Sequence, residues 1–381
     1  MPPYLAGRED EQREFKRLLK QVAITDNLIL TGLRGVGKTV LLENLKPLAQ
    51  TEGWLWANTD LSESASVNEE RIARRILTDL APLTSPFVVS RTEIRNLGFR
   101  PKGETLETRL DHSLLQHVFE ATPGLVSDKL KTVLEFAWEQ IRKTDKRGIV
   151  FAYDEAQTMS DHSEKDEFPL AVMLEVFQSI QRKGVPFMLV LTGLPTLFAK
   201  LVASRTYSER MFHVMFLNRL SESDSRKAIE EPLKGSTIRL TRESIDTVIR
   251  ISNGYPYFIQ FVCREVFDLF VGGQESVPVD AIISKLDADF FAGRWQARTD
   301  RQRELLCIAA ELPNAEGEFT VQELTDASQT CSKPFTASHI NQMLASLCDK
   351  GLVFKNRHGR YSFAVPLLDK FIRRQSKSTI A

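Results

Sequence analysis

The segment Gly32-Leu33-Arg34-Gly35-Val36-Gly37-Lys38-Thr39 constrains this chain more than any other feature. It fits G-x-x-x-x-G-K-[ST] in full, and its residue types are those a phosphate-binding loop requires. Glycines let backbone N–H groups turn inward around a phosphate. The helix that follows points its positive end at the same place. Lys38 is set to reach the β- and γ-phosphates, and the Thr39 hydroxyl to bind Mg²⁺. The flanks agree. Asn27-Leu28-Ile29-Leu30-Thr31 is an almost wholly apolar run, as of a strand buried on both faces. Residues 39–49 set Val40, Leu41, Leu42, Leu45 and Leu48 on one helical face.

The same alternation continues. Trp54-Leu55-Trp56-Ala57-Asn58, Gly148-Ile149-Val150-Phe151-Ala152-Tyr153 and Pro186-Phe187-Met188-Leu189-Val190-Leu191-Thr192 read as further strands, with a fifth at 211–217. Helical periodicity runs through 9–22, 67–82, 128–143 and 169–182. Strands alternating with helices predict an α/β fold with a parallel sheet covered on both faces. In such sheets ligands bind beyond the carboxyl ends of the strands, and the polar signatures fall there. Asp154-Glu155 ends one apolar strand: the Asp suits the Mg²⁺ shell, and the Glu suits the role of base towards the attacking water. Thr192 ends the next, where its hydroxyl can bond that water or the γ-phosphate. Arg205 and Arg210 precede the fifth strand. Arg210, the closer to it, is the preferred finger towards a neighbouring subunit's nucleotide. Residues 83–128, with Pro86, Gly98, Pro101, Gly103, Pro123 and Gly124, read as an irregular insertion, with a hairpin around Phe87-Val88-Val89 and 94–99.

Past Ser221 the strand signal stops. Residues 222–232, 241–252, 256–270 and 278–290 read as a small helical unit. Helices at 299–312, 320–328 and 336–349 follow, then Leu352-Val353-Phe354-Lys355, a polar turn at 356–359 and Arg360-Tyr361-Ser362-Phe363. Three helices and a short hairpin is the winged-helix order. Ile340, Met343, Leu344 and Leu347 make the buried stripe of its third helix, and Ser338, Asn341, Gln342 and Ser346 its exposed face. Lys355, Arg357, His358 and Arg360 fall on the hairpin. From residue 350 on, the cations Lys350, Lys355, Arg357, Arg360, Lys370, Arg373, Arg374 and Lys377 face one acid, Asp369. Such a patch suits phosphate contacts with duplex DNA through Asn341, Gln342, Lys355, Arg357 and Arg360. Winged helices also serve as protein-docking or autoinhibitory modules, and the third helix here lacks arginine, so both readings stand.

Composition sets the outer bounds. A chain of 381 residues suits two or three domains. Lys+Arg and Asp+Glu are 50 each, so no overall field demands a nucleic acid and any basic patch must be local. Cys263, Cys307, Cys331 and Cys348 show no metal-ligand spacing and read as free thiols of a reducing compartment. No apolar run approaches the roughly 20 residues of a membrane span, and the N-terminus lacks the apolar stretch of a signal peptide. The expectation is a cytoplasmic protein with no membrane partner.

Five segments come in a telling order: Leu5-Ala6-Gly7-Arg8-Glu9-Asp10-Glu11, the glycine loop, Tyr153-Asp154-Glu155-Ala156-Gln157, Leu191-Thr192-Gly193-Leu194-Pro195 and Gly254-Tyr255-Pro256-Tyr257. Together they resemble the AAA+ ATPases of the origin-recognition initiator branch. They are also similar to archaeal-type and STAND signalling ATPases, which share a Gly-x-Pro signature in the lid. The resemblance covers essentially the whole chain. It implies a P-loop NTPase core with a three-layer parallel sheet over residues 1–220, including the insertion, a helical lid over 221–292 and a winged-helix domain over 293–381. It implies ATP/ADP and Mg²⁺ as cofactors, with Gly32, Leu33, Arg34, Gly35, Val36, Gly37, Lys38, Thr39 and Val40 at the nucleotide and Thr39 and Asp154 at the metal. Tyr4, Leu5 and Arg8 would line the adenine pocket, and Thr192 would be the first sensor. The second sensor is normally a lid arginine. Tyr257 stands about where it would be, and Arg264 lies two turns further on. The lid would then read nucleotide through Gly254 and Pro256, with slow turnover. The implied function is an ATP-hydrolysing switch acting on DNA. The alternative is a STAND-like signalling ATPase that meets a regulatory protein. Relatives of the first kind assemble into homo-oligomers. A metabolic ATPase or kinase would need an acceptor pocket, which no sequence feature marks.

Overall fold

The computed structural model describes residues 4–62, 64, 67–93, 105–236, 239–273, 276–331, 333–357 and 359–380. They divide into two compact units. One is 9–31 with 41–216, and the other is 4–8 with 32–40 and the described residues from 217 on.

The first unit is built on apolar runs. After helix α1 (Glu9–Leu19) comes β1 (Asn27–Thr31), and α2 (Lys38–Thr51) leads to β2 (Trp54–Asp60). Helix α3 (Glu69–Thr84) starts at Asn68, whose side chain caps the Arg71 N–H. Next come β3 (Val88–Glu93), β4 (Thr105–Arg109), α4 (His112–Ala121), α5 (Val126–Ile141), β5 (Gly148–Asp154), α6 (Pro169–Arg182), β6 (Phe187–Gly193), α7 (Thr196–Ser204), α8 (Ser208–Met211) and β7 (Phe212–Phe216). Five strands form one parallel sheet, in the order β2-β5-β6-β1-β7. The three inner strands are buried at every residue and the two edge strands are not, which is why the inner ones read as continuous apolar runs. Side chains alternate between faces. Ile149, Phe151 and Tyr153 join a core with α3 to α6. On the other face, Trp56 meets Phe15 of α1 edge-on, ring centroids 6.2 Å apart.

In the segment 83–128 the first arm of the expected hairpin is found, and the rest is more regular than expected. The segment contains a two-stranded antiparallel hairpin of β3 and β4, then α4 capped by Asp111. The second arm is Thr105–Arg109; residues 94–99, where it was expected, lie outside the described residues.

The second unit holds α9 (Glu222–Leu233), α10 (Arg242–Ser252), α11 (Pro256–Val271), α12 (Val279–Leu286), a wide turn over Asp287–Ala292 and α13 (Gly293–Gln296). Ala6, Leu220, Ile229, Val248, Val262 and Ile282 are among the residues of its first core. Then come α14 (Asp300–Glu311), β8 (Phe319–Thr320), α15 (Val321–Ala327), α16 (Ala337–Asp349), β9 (Val353–Arg357), β10 (Arg360–Phe363) and α17 (Leu368–Ile380). The three strands form a sheet in the order β8-β10-β9. Phe258, Leu286 and Phe291 are buried in the same cluster as the C-terminal helices, and Phe291 stacks on Phe371 at 5.1 Å.

Candidate functional site

In the loop after β1, Gly35 and Gly37 have φ of +79° and +90°, where a side chain would crowd the main chain. Gly35 is also closely approached. A Cβ there would stand 2.9 Å from the Cβ of Tyr257, and its carbonyl accepts the Tyr257 N–H at 3.1 Å. Pro256, at the start of α11, is what a Cβ on Gly37 would meet, at 4.0 Å. The Lys38 ammonium donates to the carbonyls of Gly32 and Leu33 at 2.9 and 3.0 Å. The lysine thus sits across the turn that the glycines shape. Arg8, expected in the adenine pocket, is buried, and its Nη2 donates to the carbonyls of Val36 and Asn218 at 3.1 and 2.7 Å. It braces the loop from behind. Tyr4 and Leu5 are half-buried, and Tyr4 packs against the Ala6 core.

Arg294 is the residue that sequence reasoning missed. It lies over the Phe290 ring, its Cζ 4.4 Å from the centroid. Burial and then the nearby Arg34 cation push its guanidinium below the ordinary value. Arg34 itself approaches Gly351, where a Cβ would stand 3.4 Å from its Nη2. Arg294 thus lies near Arg34 of the glycine loop. The sequence signal is an arginine set between Phe290-Phe291 and Trp295, just past the lid segment 221–292. Tyr257 rests on Phe290 at 5.0 Å, while Arg264 is exposed and beside Lys285.

The carboxylates belong to the sheet. Asp154 ends β5 and is 4% exposed. Its Oδ1 accepts the Glu155 N–H at 2.7 Å and the Thr192 hydroxyl. Register explains the second bond: Tyr153 stands opposite Leu191 in the β5–β6 pair. Thr31 stands opposite Gly193 in the β1–β6 pair, so β1 ends at the sheet edge where these groups lie. The buried Thr192 turns its hydroxyl to the carboxylate, its register neighbour, and not outward. Glu155 is exposed with φ of +52°, a conformation that costs a non-glycine residue about 1–2 kcal/mol. Gln157 Nε2 donates to its Oε2. Arg210, on α8, lines an open recess with Thr25, Gln181 and Tyr207 where the strands begin, at the sheet edge opposite Asp154 and Thr192. The Arg205 guanidinium donates to the Ser204 carbonyl at 3.3 Å.

In the C-terminal domain Asn341 and Gln342 are exposed on α16. Ser346, expected on that face, is half-buried and accepts from Gln302 at 3.2 Å, because the helix turns it towards α14. Lys355 is exposed on β9, Arg357 is on the same strand, and His358 lies outside the described residues. The expected patch of cations is partly committed within the chain. Arg360 Nε is 4.0 Å from Glu318, Lys370 is 3.3 Å from Glu316, and Arg374 makes a two-point pair with Asp287 at 2.8 and 2.5 Å. Arg373 donates to the Ala310 carbonyl at 2.7 Å.

Burial pushes the Cys263 thiol up to about 12 and the Cys348 thiol to about 11, so neither is poised to react. No helix among the described residues is long and apolar enough to cross a membrane.

No curated protein matches the sequence. Solved structures do. The Walker-type ATPase PABY2304 of Pyrococcus abyssi superposes with a TM-score of 0.61 at 14% identity, over 97% of this chain and 96% of that one. The ADP form of the ORC2 protein of Aeropyrum pernix gives 0.53 at 17% identity, over 98% and 96%. Cdc6p of Pyrobaculum aerophilum gives 0.50 at 16% identity, over 100% and 96%. At such identities the likeness is one of fold. A model for a domain of unknown function (DUF8462) matches residues 288–372, and the model described as AAA ATPase domain matches residues 4–197. That match spans half the chain and takes in the glycine loop, the β5 carboxylates and Thr192: the protein belongs to the AAA ATPase domain family.

Proposed function

We propose that the chain binds and hydrolyses ATP and passes its nucleotide state to the lid and the C-terminal domain. The carrying observation is the glycine loop. Its glycines hold left-handed φ, and its lysine is held at the mouth of the turn by two loop carbonyls. A triphosphate offers that ammonium stronger, charged acceptors, and the loop N–H groups and the start of α2 supply the rest of the cradle. The donor set fits Mg²⁺, a cation that takes oxygen ligands: Thr39 and Asp154 would hold it, and when bound it screens phosphate charge. Glu155 takes the proton of the attacking water as ATP becomes ADP and phosphate. Arg210, facing away from these acids, would serve the nucleotide of a second copy in a homo-oligomer. Pro256 and Tyr257 stand on Gly37 and Gly35, so α11 senses what the loop holds. Tyr4 and Leu5 would meet the adenine, and Arg8 would keep the loop in shape. That the ORC2 protein was solved in an ADP form suits this reading.

In this reading residues 1–220 are the core, 221–292 the lid and 293–381 a winged-helix domain, in a cytoplasmic protein. Duplex DNA is the first partner of that domain, met by Asn341 and Gln342 on α16 and by Lys355, Arg357 and Arg360 on the hairpin. A regulatory protein partner is the second reading, favoured by the commitment of Arg360, Lys370 and Arg374 to acids of this chain.

The test of the chemistry is Glu155→Gln, followed by a fluorescent ATP analogue and by phosphate release. Mg·ATP affinity should stay within about 3-fold while turnover falls by about 100-fold or more, the scale of a lost general base. Normal hydrolysis would remove Glu155 from the mechanism.

A further inference from the structure

We infer that Gln157 is a positioning residue that ties the Glu155 carboxylate to the main chain just beyond β6. The inference rests on the reading of Glu155 as base and deepens it. Gln157 lies in the short turn Ala156–Thr158 after β5. Its Nε2 donates to Glu155 Oε2, and its Oε1 accepts the Leu194 N–H at 3.1 Å. One amide thus spans from the carboxylate to the backbone two residues past Thr192. The two partners fix its orientation, since a carboxylate needs the donor end and an N–H needs the acceptor end.

The surroundings hold the bridge in place. The Gln157 carbonyl accepts the Lys200 ammonium of α7 at 2.7 Å. Thr158 donates its N–H to the Glu155 carbonyl at 2.9 Å and its hydroxyl to the Leu61 carbonyl at 3.2 Å. Gly193 leaves the space: a Cβ there would stand 2.6 Å from Gln157 Oε1, so a side chain at 193 would push the amide away.

Glu155 needs such a tie. It is exposed, with three rotatable side-chain bonds, and an unrestrained side chain spreads over many rotamers. A base acts only with an oxygen within hydrogen-bond reach of its proton. The amide engages Oε2, which leaves the proton to Oε1. Thr192, two residues before Leu194, donates to Asp154. The end of β6 therefore touches both carboxylates, one through a hydroxyl and one through Gln157, and a shift of that strand end moves Glu155 as well.

Gln157→Met keeps the length of the side chain and removes both bonding groups. In the full chain, its kcat for ATP should fall about 10-fold, with KM and Mg·ATP affinity within about 2-fold, as expected for lost orientation without lost binding. Gly193→Ala should give the same pattern. Hydrogen exchange should show the Leu194 amide less protected in Gln157→Met, whether or not ATP is turned over. If Gln157→Met turns over within 2-fold of wild type while Glu155→Gln is inactive, positioning is overturned and the base reading stands. An equally protected Leu194 amide overturns the bridge itself. A parallel fall in kcat, Mg·ATP affinity and Tm assigns Gln157 to fold stability and overturns its positioning role. Glu155→Gln turning over like wild type overturns the base reading and this inference with it.

Discussion

Lys38 and the cations of the C-terminal segment are alike in charge and unlike in what folding does to them. Lys38 meets carbonyls of its own loop, five and six residues away. Arg360 meets Glu318, Lys370 meets Glu316 and Arg374 meets Asp287, partners 42, 54 and 87 residues away (360 − 318, 370 − 316, 374 − 287). The loop's chemistry is local. Its glycines set backbone angles, and the angles set where the N–H groups and the lysine go. A charge count is not local, because the acids that neutralise a patch come from anywhere in the fold. Motifs made of backbone geometry therefore pass from sequence to structure intact, while patches made of net charge must be recounted after folding.

The largest expected effect tests the local side of this contrast. In the proposed reading, Lys38→Ala removes charged hydrogen bonds to two phosphates. At about 2 kcal/mol each, Mg·ATP should bind about 10³-fold more weakly, read by titration of a fluorescent ATP analogue. Retained affinity would mean that the loop is not the phosphate site.

The next tests the non-local side. If all eight cations from residue 350 on contacted duplex phosphates, raising salt from 50 to 200 mM would weaken binding about 2 × 10⁴-fold. With Arg360, Lys370 and Arg374 paired to acids, at most five remain (8 − 3), and the loss should be no more than about 500-fold. Arg357→Glu should flatten the slope further. A slope matching all eight would show that the acids release their partners on binding. No duplex binding at low salt would leave the domain to a protein partner.

The same contrast explains what sequence could reveal. The three inner sheet strands, with the glycine loop, Asp154, Glu155 and Thr192 at their ends, follow from almost wholly apolar runs that stop at polar residues. In the β3–β4 hairpin the first arm shows as Phe87-Val88-Val89, while the second gives no such signal. Thr105-Leu106-Glu107-Thr108-Arg109 is a largely polar strand, and a polar run carries little pattern. Helix α4 follows with Leu115 and Phe119 buried at helical spacing behind its Asp111 cap, a pattern masked by the prolines and glycines on either side. Helical spacing puts Ser346 on the exposed face, but a small rotation of the helix decides whether a serine meets solvent or Gln302. The contacts of Arg294 with Phe290 and Arg34, and of Gln157 with Leu194, form only once the chain is folded.

The smallest expected effect concerns the one acid in the C-terminal count. Asp369 looks from sequence like a surface anion among cations. In the fold it is 5% exposed, and its Oδ2 is buried without a hydrogen-bond partner. Burial pushes its carboxyl above the usual aspartate range, against the pull of the Lys370 N–H and of the Lys370 and Arg373 charges. The folded chain therefore holds this proton more tightly than the unfolded chain. Stability from this group is full below the unfolded value, about 3.9, and is lost as pH rises through the raised folded value. Asp369→Asn removes the buried charge without changing shape. It should raise Tm at pH 7.5 by about 2–4 °C, the shift that about 1 kcal/mol gives a domain of this size, and the gap should close as pH falls towards 4. A gap that stays constant with pH would mean that Asp369 keeps an ordinary carboxyl, and that it counts as an anion after all.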